Sequence, residues 1–465
     1  MHVNIFGKEV YTARRKQLSA NMQKGLLLFM GNEESSMNYK DNTYPFRQDS
    51  NFLYYFGLDV AGLAAVIDLD NGTETIFGTE LSIDDIIWTG PQPSLSELAG
   101  AVGVQKNGSI PQLQSLLKQA LEKGQQIHIL PPYRPENKIK LSAWLNTSLD
   151  GIAQYVSLPF IKAIIRQREI KEAIELEEMD RACDISGDMH MAVIKNAKAG
   201  MKEYELKGLL EAVTLSNWGR TSYNTILSVD GQVLHNHYYG NTIKEGQMIL
   251  CDAGAETSHY YAGDLTRTVP VGKKFTSTQE ELYQTVLNSL NHAISLLRPG
   301  IEFREVHRQA CVELVKGLVG AGLMKGDPTE AVANDAHTMF FQCGLGHMIG
   351  IDVHDMEDLG EEYVGYTDDL KKNMVFGWKS LRLGKALQPG FTLTVEPGIY
   401  IIPELIDKWK ATNKLDQFIN YQKLEEYRNF GGIRIEDNFV ITENGSRKLG
   451  KHLPKSLEDL YASRG

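Results

Sequence analysis

Cysteine is scarce in this chain: four residues in 465, Cys183, Cys251, Cys311 and Cys343, far apart and with no CxxC pair. That spacing argues against a disulfide framework, gives no support to a zinc–thiolate knuckle, and leads us to expect a reducing, cytoplasmic setting. Long apolar runs are also missing. None approaches the roughly 20 residues of a membrane span, and the N-terminal MHVNIFGKEVYTARR has no apolar core of a signal peptide. Positive charge is in short supply, with 48 Lys and Arg against 59 Asp and Glu for a formal net charge of -11. Neither nucleic acid nor a membrane surface is therefore an expected partner.

What is present is an ordinary globular composition, 42% hydrophobic and 23% charged, in a chain too long for one typical core. Residues 1–165 alternate apolar runs with turn signals. LAAVIDLDNGTETIFG reads as two strands around Asn71-Gly72, IHILPP and YVSLPF as buried strands, and SLSELAGAV and IPQLQSLLKQALEKG as helices, an α/β mixture. A long, charged, helically periodic stretch from Phe160 then carries the chain into a second domain, 166–465. That domain holds a repeat: a helix end, Gly200 or Gly300, an apolar residue, and Glu205-Leu206 or Glu305-Val306 five positions on. Two similar halves are expected to face each other, with a cleft between them.

Acidic residues recur in this second domain where strands are expected. MILCDAGAETSHYYAGDLTRTVPV reads as a hairpin, and a turn centred on Ser258 places Asp252 opposite Asp264. Facing residues on an antiparallel pair have Cβ atoms about 4.5–5.5 Å apart, so two carboxylates there repel unless a cation separates them. The competing reading is a different register, or one Asp in a loop. In FTLTVEPGIY the alternation puts Thr392, Thr394 and Glu396 on one face before Pro397 ends the strand; in GGIRIEDNFVIT, Arg434 and Glu436 share a face. GLGHMIGIDVHD adds His347 and His354, seven residues apart. On a straight strand they would point to opposite sides, so one shared site requires a bend, for which Gly350 is the candidate. Four carboxylates and one imidazole make a set rich in hard oxygen donors, which suits Mn2+ better than structural zinc, and the four carboxylates can neutralise two divalent ions.

HNHY, ILCDAG, YAGDLTRT, GLGHMIGIDVHD, TVEPGIY and GIRIED, in that order, closely resemble the Xaa-Pro peptidases, prolidase and aminopeptidase P, of the pita-bread metallopeptidase fold. FRQDSNFLYYFG resembles the family's creatinase-like N-terminal domain, so the resemblance spans the chain. It implies an α/β N-terminal domain followed by a pseudo-duplicated α+β catalytic domain. It implies two divalent metal ions, Mn2+ by preference, on Asp252, Asp264, His347, Glu396 and Glu436, with Asp264 and Glu436 bridging. His235 and His354 correspond to residues that contact substrate and intermediate, Glu396 to the one that manages the proton, and Arg434 with Tyr400 to a relay at the metals. The insert between TVEPGIY and GIRIED and the run KSLRLGKALQPG are prolidase-like, with Arg382 matching the arginine that receives a dipeptide's C-terminal carboxylate. Trp88 resembles an aromatic that reaches a partner subunit's site, and a homodimer is implied. The pattern departs at Cys343, where many members carry histidine. The expected activity is hydrolysis of Xaa-Pro dipeptides. The alternatives are an aminopeptidase P acting on longer proline-containing peptides and a non-catalytic binding protein on the same fold.

Overall fold

The computed structural model describes residues 6–464 and falls into two compact units that meet in sequence at Arg168 and Glu169. Residues 1–5, the start of the stretch read for a signal peptide, lie outside the described residues. Among the described residues no helix is long and apolar enough to cross a membrane.

The first unit is built on a mixed five-stranded sheet ordered β4-β3-β2-β1-β5, with β1 at Leu26–Met30, β2 at Ala64–Asp68, β3 at Thr73–Gly78, β4 at Lys106–Ser109 and β5 at Ile127–His128. The Asn71-Gly72 turn closes the β2–β3 hairpin with Gly72 at φ +70°, a conformation that penalises a Cβ. Helices α1 (Leu95–Ala101) and α2 (Ile110–Glu122) each start at a serine, Ser94 or Ser109, whose hydroxyl accepts from an amide one turn in. The apolar face of α2 (Leu113, Leu117, Ala120) joins Leu26, Leu28, Val66 and Phe77 in the core. YVSLPF is not a strand. Val156 makes a single bridge to Ile129, and a helix over Leu158–Arg168 follows at once. The Ser157 hydroxyl facing the Phe160 amide at 3.4 Å and Pro159 in the first turn are start signals that outweigh the apolar run. The long helix expected from Phe160 onward is likewise two helices. Between them Lys171 turns inward, its amide donating to the Gly390 carbonyl at 3.0 Å and its ammonium meeting Asp355 at 3.0 Å.

The second unit contains the repeat as a physical object. Helices α3 (Ala173–Asn196) and α4 (Glu203–Ser216) pack on each other and precede the sheet β8-β7-β6, made of β6 (Ile226–Ser228), β7 (Met248–Ala253) and β8 (Leu265–Pro270). Helices α5 (Ser277–Leu296) and α6 (Phe303–Gly320) precede the sheet β9-β12-β13 with β9 at Thr392–Val395, β12 at Asp437–Thr442 and β13 at Gly445–Lys448. A short pair, β10 (Gly398–Tyr400) and β11 (Gly432–Arg434), flanks the second sheet. Gly200 and Gly300 sit at φ +92° and +84°, and their amides donate to Ile243 and Leu387 carbonyls at 2.9 and 2.8 Å. The bridges Lys202–Thr242 and Glu302–Ala386 then repeat the same return pairing.

The halves are joined by side chains as well as backbone. Thr266 on β8 bridges to Glu436, and Thr268 exchanges hydrogen bonds with Arg434, its hydroxyl donating to the Arg434 carbonyl and accepting from its amide, both at 3.1 Å. Acids and histidines from both halves therefore converge on this seam.

Candidate active site

The Asp252–Asp264 register differs from the expected one. In the β7–β8 pair Asp252 faces Thr266, while Asp264 stands just before β8. The connection pairs Ala255–Glu256 with Arg220–Thr221 and turns through Tyr260 at φ +69°, so the hairpin is centred one residue later than Ser258. A one-residue shift of centre moves partners by two, which preserves the face, and the two acids still converge. Asn438 holds Asp264 in its bend, accepting from the Asp264 amide at 2.9 Å and donating to its carbonyl at 2.5 Å.

Tyr223 lies against both acids, its hydroxyl 2.5 Å from Asp252 and 2.6 Å from Asp264. One hydroxyl proton satisfies one of these contacts; the other needs a further proton or a cation. Glu396 closes β9 just before Pro397, its amide donating to Leu345 at 2.8 Å. Gly346 is required by the neighbouring strand contact, since a Cβ there would lie 2.0 Å from the Thr394 carbonyl. His347 Nδ1 faces the Met348 carbonyl at 3.0 Å, which fixes a proton on Nδ1 and leaves Nε2 as the nitrogen for a metal ion. Without one, burial opposes charge on the imidazole but the acids beside Nε2 raise it, so that Nε2 is protonated towards them. Nε2 points at Asp264 (3.3 Å) and Glu396 (3.6 Å). Glu436 lies between β11 and β12; its Oε2 accepts from the Thr266 hydroxyl at 2.7 Å, whereas Oε1 is buried with no partner. Donor atoms of Asp264, His347 and Glu436 all lie within 4.8 Å of one another.

Arg434 links the acids. Its guanidinium pairs with Asp252 and donates to the Tyr400 hydroxyl at 2.8 Å and the Thr266 hydroxyl at 3.2 Å. The chain does turn between the two histidines: Gly350 donates to the Asp352 carbonyl and Asp355 returns to Met348, both at 3.0 Å. A Cβ at Gly350 would meet Asp355 at 2.5 Å. The imidazoles of His347 and His354 end 4.3 Å apart at 69°. His354 Nδ1 then meets Glu357 at 2.7 Å, and Glu357 in turn pairs with Arg382.

These side chains surround a cavity of about 370 Å³ lined by Asp252, Asp264, His347, Glu396, Glu436, Arg434, His235, His354, Tyr223 and Cys343, among others. Two expected site residues, Tyr400 of the relay and the substrate-binding Arg382, are not on its wall. Tyr400 is fully buried behind Arg434, where its hydroxyl faces the Cys343 thiol at 3.9 Å, and Arg382 is drawn aside by Glu357. Tyr223, Asn438, Thr266 and Glu357 were missed in the sequence. Only Glu357, one turn after His354, carried a local signal.

The electrostatics are those of crowded buried acids. Burial, with mutual repulsion added, pushes the Asp252, Glu396 and Glu436 carboxyls up, Glu396 to about 7. Burial also opposes charge on Asp264, but the His347 imidazole beside it holds that carboxyl below its ordinary value. Burial lowers His235 and His354, favouring neutral imidazoles at neutral pH. The half-buried Cys343 thiol is pushed up to about 12 by burial, so it is a neutral group on the wall.

Fold and site define a protein whose larger unit folds two similar halves around an acid-rich pocket of the kind that gathers divalent cations. The chain belongs to metallopeptidase family M24, whose model matches residues 177–443, and residues 11–130 match the N-terminal domain of aminopeptidase P. It is 32% identical over 470 residues to the Xaa-Pro dipeptidase of Homo sapiens, covering 97% of this chain and 92% of that protein. It is 30% identical over 467 residues to the Xaa-Pro aminopeptidase of Escherichia coli, covering 98% and 97%. The solved structure of Escherichia coli aminopeptidase P with the inhibitor Pro-Leu matches with a TM-score of 0.81 at 29% identity, over 99% of both chains. The two-domain, mixed α/β fold class is the expected one, and the family is one of divalent-metal peptidases.

Proposed function

We propose that the chain hydrolyses Xaa-Pro dipeptides, with two divalent ions, Mn2+ by preference, held by Asp252, Asp264, His347, Glu396 and Glu436. The observation that carries this reading is the unpartnered, buried Glu436 Oε1 beside Asp264 and His347. A buried carboxylate oxygen without a donor is costly, and a cation removes that cost. Hard oxygen donors with one imidazole fit Mn2+. When bound, the ions supply Lewis acidity that polarises a carbonyl and acidifies water.

The chain's own residues supply the rest. Glu396 is the group that takes up and returns a proton during cleavage; burial pushes its carboxyl up to about 7 in the metal-free protein, and bound cations would lower it. His354 has its Nδ1 proton directed at Glu357, which leaves Nε2 of the neutral imidazole as the lone-pair nitrogen able to take up a proton, and with His235 it lines the wall beside the substrate carbonyl. Arg434 positions Asp252 and, through Thr266, Glu436. An Xaa-Pro nitrogen bears no hydrogen, so recognition rests on the shape around the pyrrolidine ring and not on an amide donor.

The aminopeptidase P reading is favoured by one observation, the engagement of Arg382 by Glu357, which occupies the group expected to receive a dipeptide carboxylate. Arg382→Ala separates the two. Loss of a charge-assisted contact of about 1.5–3 kcal/mol lowers kcat/KM for Ala-Pro by roughly ten- to a hundredfold and leaves a longer Ala-Pro-Xaa peptide nearly unaffected. Equal losses on both substrates would rule out the dipeptidase reading.

Metal removal gives a second expected outcome. Glu396 has a folded value raised above its ordinary one, so its contribution to stability is present at low pH and disappears as pH rises from 4.5 through about 7. The melting temperature of chelator-treated protein should fall across that window, and Mn2+ should abolish the fall. A metal-free protein that grows more stable over the same range would contradict this.

We also propose a homodimer in a reducing, cytoplasmic compartment. The short helix Ile83–Thr89 exposes Ile83, Ile87 and Trp88, which supports the former, and four free thiols support the latter.

A further inference from the structure

A second cluster of ligating side chains lies in the same unit, outside the carboxylate pocket. His307 and Cys311 project from one face of α6, one turn apart, and His337 comes from a single 3-10 turn at Ala336–Met339. All three are buried, with His307 1% and His337 2% exposed. One donor atom from each lies within 4.8 Å of the others. His307 Nε2 stands 3.7 Å from the Cys311 sulfur, against about 3.6 Å for the N···S edge of a tetrahedron with Zn–N near 2.0–2.1 Å and Zn–S near 2.3 Å. His307 Nδ1 and His337 Nδ1 are buried and have no hydrogen-bond partner. With Nε2 as the His307 donor its Nδ1 stays unpartnered, so the cost that a cation here would remove is that of the buried His337 nitrogen.

We propose that His307, Cys311 and His337 form a zinc site separate from the carboxylate pocket, tying α6 to the segment that leads into His347. A thiolate with two imidazoles is a soft donor set that selects zinc, whereas the carboxylate centre selects harder ions, so one chain sorts two kinds of metal. Both imidazoles are kept neutral by burial, His307 down to about 3 and His337 to about 4, as ligands must be. The Cys311 thiol is pushed well up by burial, so binding at neutral pH releases its proton to solvent as the Zn–S bond forms. Trp378 closes the cluster, its ring centroid 4.9 Å from His307 and 5.4 Å from His337, and its indole N–H donating to Asp335 at 2.7 Å. The sequence concealed the site because no CxxC pair announces it: the third ligand comes from outside the helix that carries the other two.

Cobalt tests this independently of peptidase activity, because the five ligands proposed for the other centre include no sulfur. Protein produced in cobalt-supplemented medium should show a near-ultraviolet thiolate-to-Co2+ charge-transfer band, bleached on exchange with Zn2+. The band should persist in Cys343→Ser, whose thiol lines the catalytic cavity, and vanish in Cys311→Ser and His337→Ala. Elemental analysis should show one zinc fewer per chain in Cys311→Ser. Absence of the band in cobalt-loaded wild type, or its survival in Cys311→Ser, overturns the proposal, and the wild-type arm decides even if a variant fails to fold.

Discussion

Asp264→Asn should lower kcat/KM for an Xaa-Pro substrate by roughly a thousandfold or more, at the upper end of what loss of one preorganised electrostatic group costs. Asp264 faces Nε2 of His347 at 3.3 Å and shares Tyr223 with Asp252. The amide keeps the volume and removes the charge that the proposed metal centre needs. Its other oxygen contacts are conserved in shape, so the fold should survive. The metal-free melting temperature should change little, because the lost His347 pairing is offset by relief of repulsion on Glu436, whose carboxyl Asp264 helps to push up. What should disappear is stabilisation by metal, which for a ligand at a hundred times its Kd is about 2.7 kcal/mol in the wild type. Calorimetry with and without Mn2+ measures this directly. Full activity in Asp264→Asn, or unchanged stabilisation by Mn2+, would remove Asp264 from the ligand set.

Arg267→Met should have the opposite signature, a loss of fold stability of about 3–5 kcal/mol, which corresponds to a fall in melting temperature of roughly 5–10 °C. Arg267 is completely buried, pairs with the equally buried Asp437 at 2.7 Å, and donates to the Glu436 carbonyl at 2.7 Å and the Pro454 carbonyl at 2.8 Å. Methionine fills the stem and leaves Asp437 and those carbonyls without a donor, and a stranded buried charge is what makes a half-broken pair expensive. The double variant Arg267→Met/Asp437→Leu should recover much of the loss. Lys455, the other partner of Asp437, is about a quarter exposed and can turn to water. A double variant no more stable than the single one would show that the cost lies in packing and not in the charge.

Much of this protein could be read from local pattern. The alternation that placed Thr394 with Glu396 survives as a 3.4 Å approach between their oxygens, and the glycine after each helix end sits at positive φ in both halves. The need for a bend between His347 and His354 followed from strand parity alone. Where local signals conflicted the reading failed. YVSLPF looked like a strand because its apolar run hid a serine cap and a first-turn proline, and the hairpin centre near Ser258 was one residue off in a connection that also pairs with the distant Arg220–Thr221. Tyr223, Asn438 and Thr266 carried no motif. Each matters only through a partner from a distant segment, Asp264 for the first two and Glu436 for the third.

Side-chain chemistry and short-range periodicity are properties of a few neighbouring residues, so the sequence by itself determined which acids and histidines share a strand face and that hard cations suit them. Tertiary structure decided which of these faces meet. The offset between the halves is 100 residues at Gly200 and Gly300 but 144 between the return segments at Ile243 and Leu387, because the long insertion around the His347 segment lies in only one half. Only closure of those unequal loops brings Thr266 against Glu436 and His347 against Asp264. The same closure sets His337 beside His307 and Cys311, since contact between distant segments depends on the whole packed unit and not on any one stretch of chain.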